Sequence, residues 1–286
     1  MSVAGSSPDP VVEHERTRAA LRAAVPRLAR LLRDVPDPGA PSGVPVWTVG
    51  DVGAHVGAVF LAYGSAFTHE FEDWGAVLPP GDGSFIERIT KVNAKSIGLF
   101  DADGRERLGD FVTERGETFL RATEGLAPDT PVAAPWYGEQ VTLTLAAATG
   151  LVLGETLVHG LDIARGARLP WAIGAEEARL VIGQAMPTMM PLALDTERAR
   201  DVGIAFDLAI RGGPRLAVVI ADGTATVTRD ASARAYDCRI SAAPAAFLLV
   251  AFRRTPLWRV VACGRISATG RKPWLAPRLG RLVASP

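Results

Sequence analysis

The sequence predicts two architectures in series, an α-helical bundle over residues 1–168 and a smaller α+β domain over 169–286. Three observations lead there. Up to Gly166 the apolar residues recur at three- and four-residue steps, the mark of helices with a buried face. In "VGIAFDLAI" the period falls to two, as in a half-buried strand. Asp222-Gly223 then divides "RLAVVIADGTATVTRD" into two apolar runs, the pattern of a tight hairpin.

The elements follow in order. Residues 10–35 form an amphipathic helix, with Val12, Leu21, Val25, Leu28, Leu31 and Leu32 as its stripe. The Pro- and Gly-rich "DVPDPGAPSGVP" ends it. A second helix begins at Thr48, whose partner three residues on, Asp51, makes an acidic capping box. Val52, Val59 and Ala62 line one side of that helix, and His55 shares it. Two more helices are expected at 84–100 and 105–124, and after a loop a long helix runs over 140–165. Four main helices among these five before Gly166 suggest a bundle. A helical region at 175–194 joins it to the strands. "YDCRISA" and "GRISATG" add strands, "PAAFLLVAFRR" a short helix with Pro244 in its first turn, and "KPWLAPRLGRL" a terminal helix shortened by Pro277.

Composition narrows the function. The chain is 48% hydrophobic and 22% charged, with zero net charge, which excludes a disordered or fibrous protein. No apolar run reaches the roughly 18 residues of a spanning helix, so no membrane role is expected. "MSVAGSSPDP" has no basic region followed by an apolar stretch, and a cytoplasmic location is expected. Cys238 and Cys263 lack zinc-site spacing and read as buried, reduced strand residues. From Thr224 onward 11 basic residues face 2 acidic ones, whereas the preceding part carries 20 and 29. The arginines are dispersed among apolar residues, which argues against nucleic acid and for pairing with the acidic first half.

Chemistry concentrates in "GETLVHGLDIARG". Glu155 and His159 lie four positions apart, so they project from one helix face, and Asp162 continues the stripe. Apolar residues cover most of the remaining circumference, so the helix should be buried. An ionised carboxylate there needs a strong partner. Three partners are open: a satisfied core pair, an acid/base pair, or a divalent cation that takes the carboxylate and a neutral imidazole. A cation needs a third ligand. His14 and His69 sit in charged contexts that read as solvated, while His55 is on a buried face.

"WTVGDVGAHVGAVF", "KVNAKS" and "GETLVHGLDIARG", in that order, resemble the mycothiol-dependent maleylpyruvate isomerase family of the DinB-like metalloenzymes. "DCRISAAPAAFLLVAFRRTPLW" and "GRISATGRKPWLAPRLGRL" resemble its sterol-carrier-like C-terminal domain. The resemblance implies a DinB-like four-helix bundle holding a divalent metal through His55, Glu155 and His159, zinc before nickel or iron. It implies mycothiol as thiol cosubstrate and a small electrophile as substrate, handled by S-transfer or isomerisation. A monomer or homodimer is expected. The rival expectation is a non-enzymatic lipid or small-molecule carrier whose metal is structural, with Asp162 as fourth ligand.

Around that centre, Asp162 is expected either to orient His159 or to pair with Arg165. Trp136 stands at the cavity mouth or packs, and Arg88, Lys91 and Asn93 offer contacts to an anion. Arg239 or Arg253 would reach the site across the domain boundary.

Overall fold

The computed structural model describes residues 9–69, 77–78, 84–229 and 235–284. The N-terminal residues whose composition argues against export lie outside these, except for Asp9 and Pro10. Helix α1 (Pro10–Arg33) starts on an Asp9 cap, and α2 (Val49–Thr68) on the Thr48/Asp51 capping box that the sequence announces. Helix α3 (Phe85–Ile97), the single turn α4 (Ala102–Glu106) and α5 (Leu108–Ala122) follow. Helix α6 (Leu145–Ala167) completes the bundle, with α1 and α2 each packed on both α5 and α6, while α3 lies outside on α2.

One expectation fails at the start of α6 and another at the start of α1. Residues 140–144 are not helical: β2 (Thr142–Thr144) pairs antiparallel with β1 (Pro131–Ala133), and Thr144 caps α6. Thr142 and Thr144 are β-branched and alternate in exposure about buried Leu143, so the strand pattern prevails. Val12 lies outside the core, being 54% exposed.

Helix α7 (Ala175–Leu192) continues through Pro187 and Pro191 and packs on α6 and α1 on one side, on β5 and α9 on the other. The sheet has the order β5-β4-β3-β6-β7. Its strands are β3 (Ile204–Ile210), β4 (Arg215–Ala221), β5 (Thr224–Arg229), β6 (Cys238–Ala242) and β7 (Ile266–Thr269). Only β3 and β6 run parallel, joined by a crossover; the other pairs are antiparallel. Asp222 and Gly223 both have positive φ, 50° and 72°, the type I′ geometry expected for the hairpin.

Helix α8 (Thr196–Ala199) precedes the sheet, and α9 (Pro244–Ala251) with α10 (Leu257–Ala262) connects β6 to β7. The last helix is shorter than residues 272–282, as expected, and begins next to Pro277. That proline sits in the first turn of α11 (Ala276–Leu282), where a missing N–H costs nothing, after a 3-10 turn at Pro273–Leu275.

Strand parity sorts the side chains. Phe206, Leu208, Val218, Ile220 and Ile240 face the helices and merge with the bundle core in one hydrophobic cluster. Asp207, Arg215 and Arg239 take the opposite face. Cys238 is buried on β6 as expected, but Cys263 is exposed at the end of α10. Among the described residues no helix is long and apolar enough to cross a membrane.

Candidate functional site

Helix α6 owes its position to its own apolar surface. Leu145, Leu153, Leu157, Val158 and Ile163 are fully buried, each contributing about 1.5–3 kcal/mol over exposure. The small residues between them allow close approach. At Gly160 an added Cβ would come within 2.3 Å of the Trp171 ring, whose indole N–H donates to the Leu157 carbonyl at 2.9 Å. With α6 fixed against α2, one turn of it meets one turn of its neighbour, and His55, Glu155 and His159 converge. One ligating atom from each lies within 4.8 Å of the others.

The Glu155 carboxylate is the hub. Its Oε2 is 3.0 Å from His159 Nε2 and 3.3 Å from His55 Nε2. His159 is held on its other side, Nδ1 lying 3.0 Å from Asp162 Oδ2. Asp162 is fully buried and is gripped by the Arg254 guanidinium, Nε at 2.9 Å from Oδ1 and Nη2 at 2.7 Å from Oδ2. Its backbone carbonyl accepts from Gly43 N at 3.1 Å, an approach that a Cβ at Gly43 would block at 2.6 Å from Oδ1. The Trp47 ring covers the pair of imidazoles, with centroids 5.1 Å from His55 and 6.5 Å from His159.

Electrostatics follows from this packing. Burial opposes ionisation of Glu155, but hydrogen bonds from both imidazoles hold its carboxyl far below the usual range. Burial also disfavours the charged His159, yet the Asp162 and Glu155 carboxylates outweigh it and raise the ring to about 9. His55 goes the other way: its burial prevails over the Glu155 hydrogen bond and lowers its pKa.

The triad opens on a cavity of about 1180 Å³ between the bundle and the second half of the chain. Its walls come from α2, α3, α6, α7 and α9, from β6 and β7, and from the loop carrying Trp47. Most wall residues are apolar, among them Met186, Met189, Phe247 and Ile266.

The sequence-predicted residues divide. His55, Glu155, His159 and Asp162 come together, and Asp162 takes His159, while Arg165 instead donates to the Arg254 carbonyl. Trp136 lines the cavity and packs edge-on to Tyr63 at 4.9 Å. Arg88 is buried, with Nε and Nη2 donating to the Trp136 and Pro135 carbonyls at 3.2 and 2.8 Å, so it ties down the loop before α6. Asn93 reaches the cavity wall.

Arg239 is on the far face of the sheet, 3.4 Å from Asp207, because Cys238 and Ile240 occupy the inward parity of β6. Arg253 stands exposed at the cavity rim with φ of 57°. The arginine that crosses to the bundle is its neighbour, Arg254. Neither its turn nor its direction can be read from "FRRTP", although a buried Asp162 signals that some cation must reach it. His14 corrects another expectation, being 1% exposed and not solvated. Its neighbours in sequence are charged, but the ring itself is buried. His69 is exposed as expected.

A family model, the mycothiol maleylpyruvate isomerase N-terminal domain, matches residues 15–164, more than half of the chain. The chain belongs to that family. The crystal structure of a mycothiol-dependent maleylpyruvate isomerase is similar over 94% of this chain and 96% of its own, with a TM-score of 0.51 and 16% identity. A histidine-to-alanine variant of that enzyme has the same coverage and identity with a TM-score of 0.50. At such identity the likeness extends to the fold, a helical first part and a sheet-containing second part. A ubiquinone-synthesis protein with a sterol-carrier-type domain aligns over 34% of this chain and 84% of its own, at 16% identity and a TM-score of 0.29. No curated protein matches the sequence.

Proposed function

We propose that the chain is a divalent-metal-dependent enzyme that employs a low-molecular-weight thiol, mycothiol, for S-transfer or thiol-assisted isomerisation of an electrophile. The observation that carries this reading is the convergence of His55, Glu155 and His159 at the end of a cavity. The residues fit a metal by geometry. Ligands about 2.0–2.1 Å from a tetrahedral zinc stand roughly 3.3 Å apart, and the two imidazole-to-carboxylate distances are 3.0 and 3.3 Å. They fit by chemistry as well, one carboxylate and two imidazoles being a donor set suited to zinc, nickel or iron.

The protein's own residues have separable tasks. Asp162 takes the Nδ1 proton of His159 and so turns Nε2 toward the centre. Arg254 neutralises Asp162, leaving Glu155 as the one acidic group among the described cavity-lining residues. Trp47 shields the imidazoles from water. Arg253 at the rim suits the polar body of a thiol cosubstrate. A bound divalent cation would supply the stabilisation that converts a thiol of pKa near 8.5 to thiolate at neutral pH.

The carrier reading has the apolar cavity in its favour. It requires a fourth protein ligand to close a structural site, and Asp162, the local candidate, is engaged by His159 and Arg254. The test is cobalt substitution of the purified protein followed by mycothiol. A thiolate-to-metal charge-transfer band is expected, and a spectrum unchanged by the thiol removes the thiol from the function.

A further inference from the structure

The polar groups of the cavity are unevenly distributed. Arg253 and Arg281 line it but are exposed, and Arg254 is committed to Asp162. Between this rim and the triad the wall is built from methionine, valine, leucine and aromatic side chains. Away from the triad, a small dianion seated against that wall would lose its hydration with no inward-facing guanidinium or ammonium to replace it, an expense of several kcal/mol per charge. The volume, about 1180 Å³, also exceeds the ordinary range of roughly 300–1,000 Å³ for small-molecule sites.

Beside single polar residues such as Asn93, Ser96 and Ser267, the wall holds one polar pair. Tyr63 on α2 and Tyr137 before β2 line the cavity with their hydroxyl oxygens 3.2 Å apart. Trp136 contributes a hydrogen bond to each tyrosine, and Phe85 stacks on the Tyr137 ring at 5.7 Å. One hydroxyl proton serves the bond between the two tyrosines. The second has no acceptor among the described residues, and burial keeps both phenols protonated. Tyr63 is eight residues beyond His55 on the same helix, about 12 Å along its axis. A donor thus waits two turns from the triad, in a cavity whose wall is mostly apolar.

We infer that the substrate is a neutral, elongated apolar molecule with one accepting oxygen, held by the Tyr63–Tyr137 pair while its body fills the cavity. This rests on the enzymatic reading for the word substrate, and on the cavity alone for the ligand's chemistry. A hydroxyl at the outer end would meet the rim arginines.

The test uses calorimetric titration of the full chain with unreactive methyl ketones, 2-pentanone, 2-octanone and 2-undecanone, and with maleate. Affinity is expected to rise about threefold per added methylene. A Tyr63→Phe/Tyr137→Phe double variant should bind every ketone about three- to tenfold more weakly with the same chain-length dependence, one hydrogen bond having been removed. An affinity independent of chain length, or maleate binding more tightly than 2-undecanone, overturns the inference. So does a double variant with undiminished ketone affinity. The same titrations on His159→Ala, with metal analysis alongside, separate the two readings: loss of the metal hypothesis leaves the ketone series intact and decisive.

Discussion

Two buried carboxylates tie the helical part of the chain to the sheet-containing part, and they are built differently. Glu13 on α1 meets Arg229 at the end of β5, with Nη2 2.8 Å from Oε1 and Nη1 2.5 Å from Oε2. One anion meets one cation and the account closes. On α6 two carboxylates, Glu155 and Asp162, share two imidazoles and a single guanidinium, and one of the carboxylates faces a cavity. The first arrangement is what stability alone requires of a buried charge. The second leaves one carboxylate to be balanced by an imidazole and not a guanidinium, at a surface where a ligand can arrive. The histidines repeat the contrast. His14 is buried with neither ring nitrogen bonded among the described residues, whereas His159 is held on both sides.

The sharpest way to break this comparison is to remove a proposed ligand. His159→Ala should lower metal affinity by at least about a hundredfold, beyond the 10–100-fold typical of outer-shell partners, as read by metal analysis and chelator competition. Equal metal content in variant and parent would reduce the triad to another closed ion pair. Arg254→Ala should cost about 3 kcal/mol in denaturant unfolding and weaken metal binding roughly tenfold, because Asp162 stays buried with His159 as its remaining partner. Arg229→Ala should cost about 2 kcal/mol and leave metal binding unchanged, Arg229 being partly exposed. If the Arg229 variant lost metal, the two ties would not be independent.

The smallest effect concerns pH. Burial, with Arg18 nearby and Glu15 opposing, lowers the His14 pKa below its usual 6.5. A depressed histidine binds fewer protons folded than unfolded, so its contribution is intact above about pH 6.5 and stability falls as pH drops below that. The slope is at most about 1.4 kcal/mol per pH unit. Replacing His14 by Phe should flatten the urea-midpoint profile between pH 6.5 and 5.5, and an unchanged profile would deny His14 a part in it.

Local signals in the sequence carried most of the fold. The Thr48/Asp51 box, the Asp222-Gly223 turn and Pro244 each act within a few residues, and each element begins or turns where its signal stands. What failed depended on distant partners. Thr142–Thr144 become a strand because Pro131–Ala133 is there to pair with them. His14 looked solvated because its neighbours in sequence are charged, while its ring is buried in the fold. In the site, i,i+4 spacing made Glu155 and His159 legible, and the apolar face of α2 added His55. Arg254, Trp47 and Tyr137 were not legible, since loops deliver all three and a loop's direction is set by what it lands on.

The clasp between Arg254 and Asp162 also bears on how such a chain can be cut or recombined. Severed after α6, the helical half would keep every ligand candidate but expose a core aspartate stripped of its guanidinium and an imidazole with a less firmly held anchor. Fragments joined from different relatives would function only if both sides of that clasp were exchanged together, which makes the two halves one heritable unit.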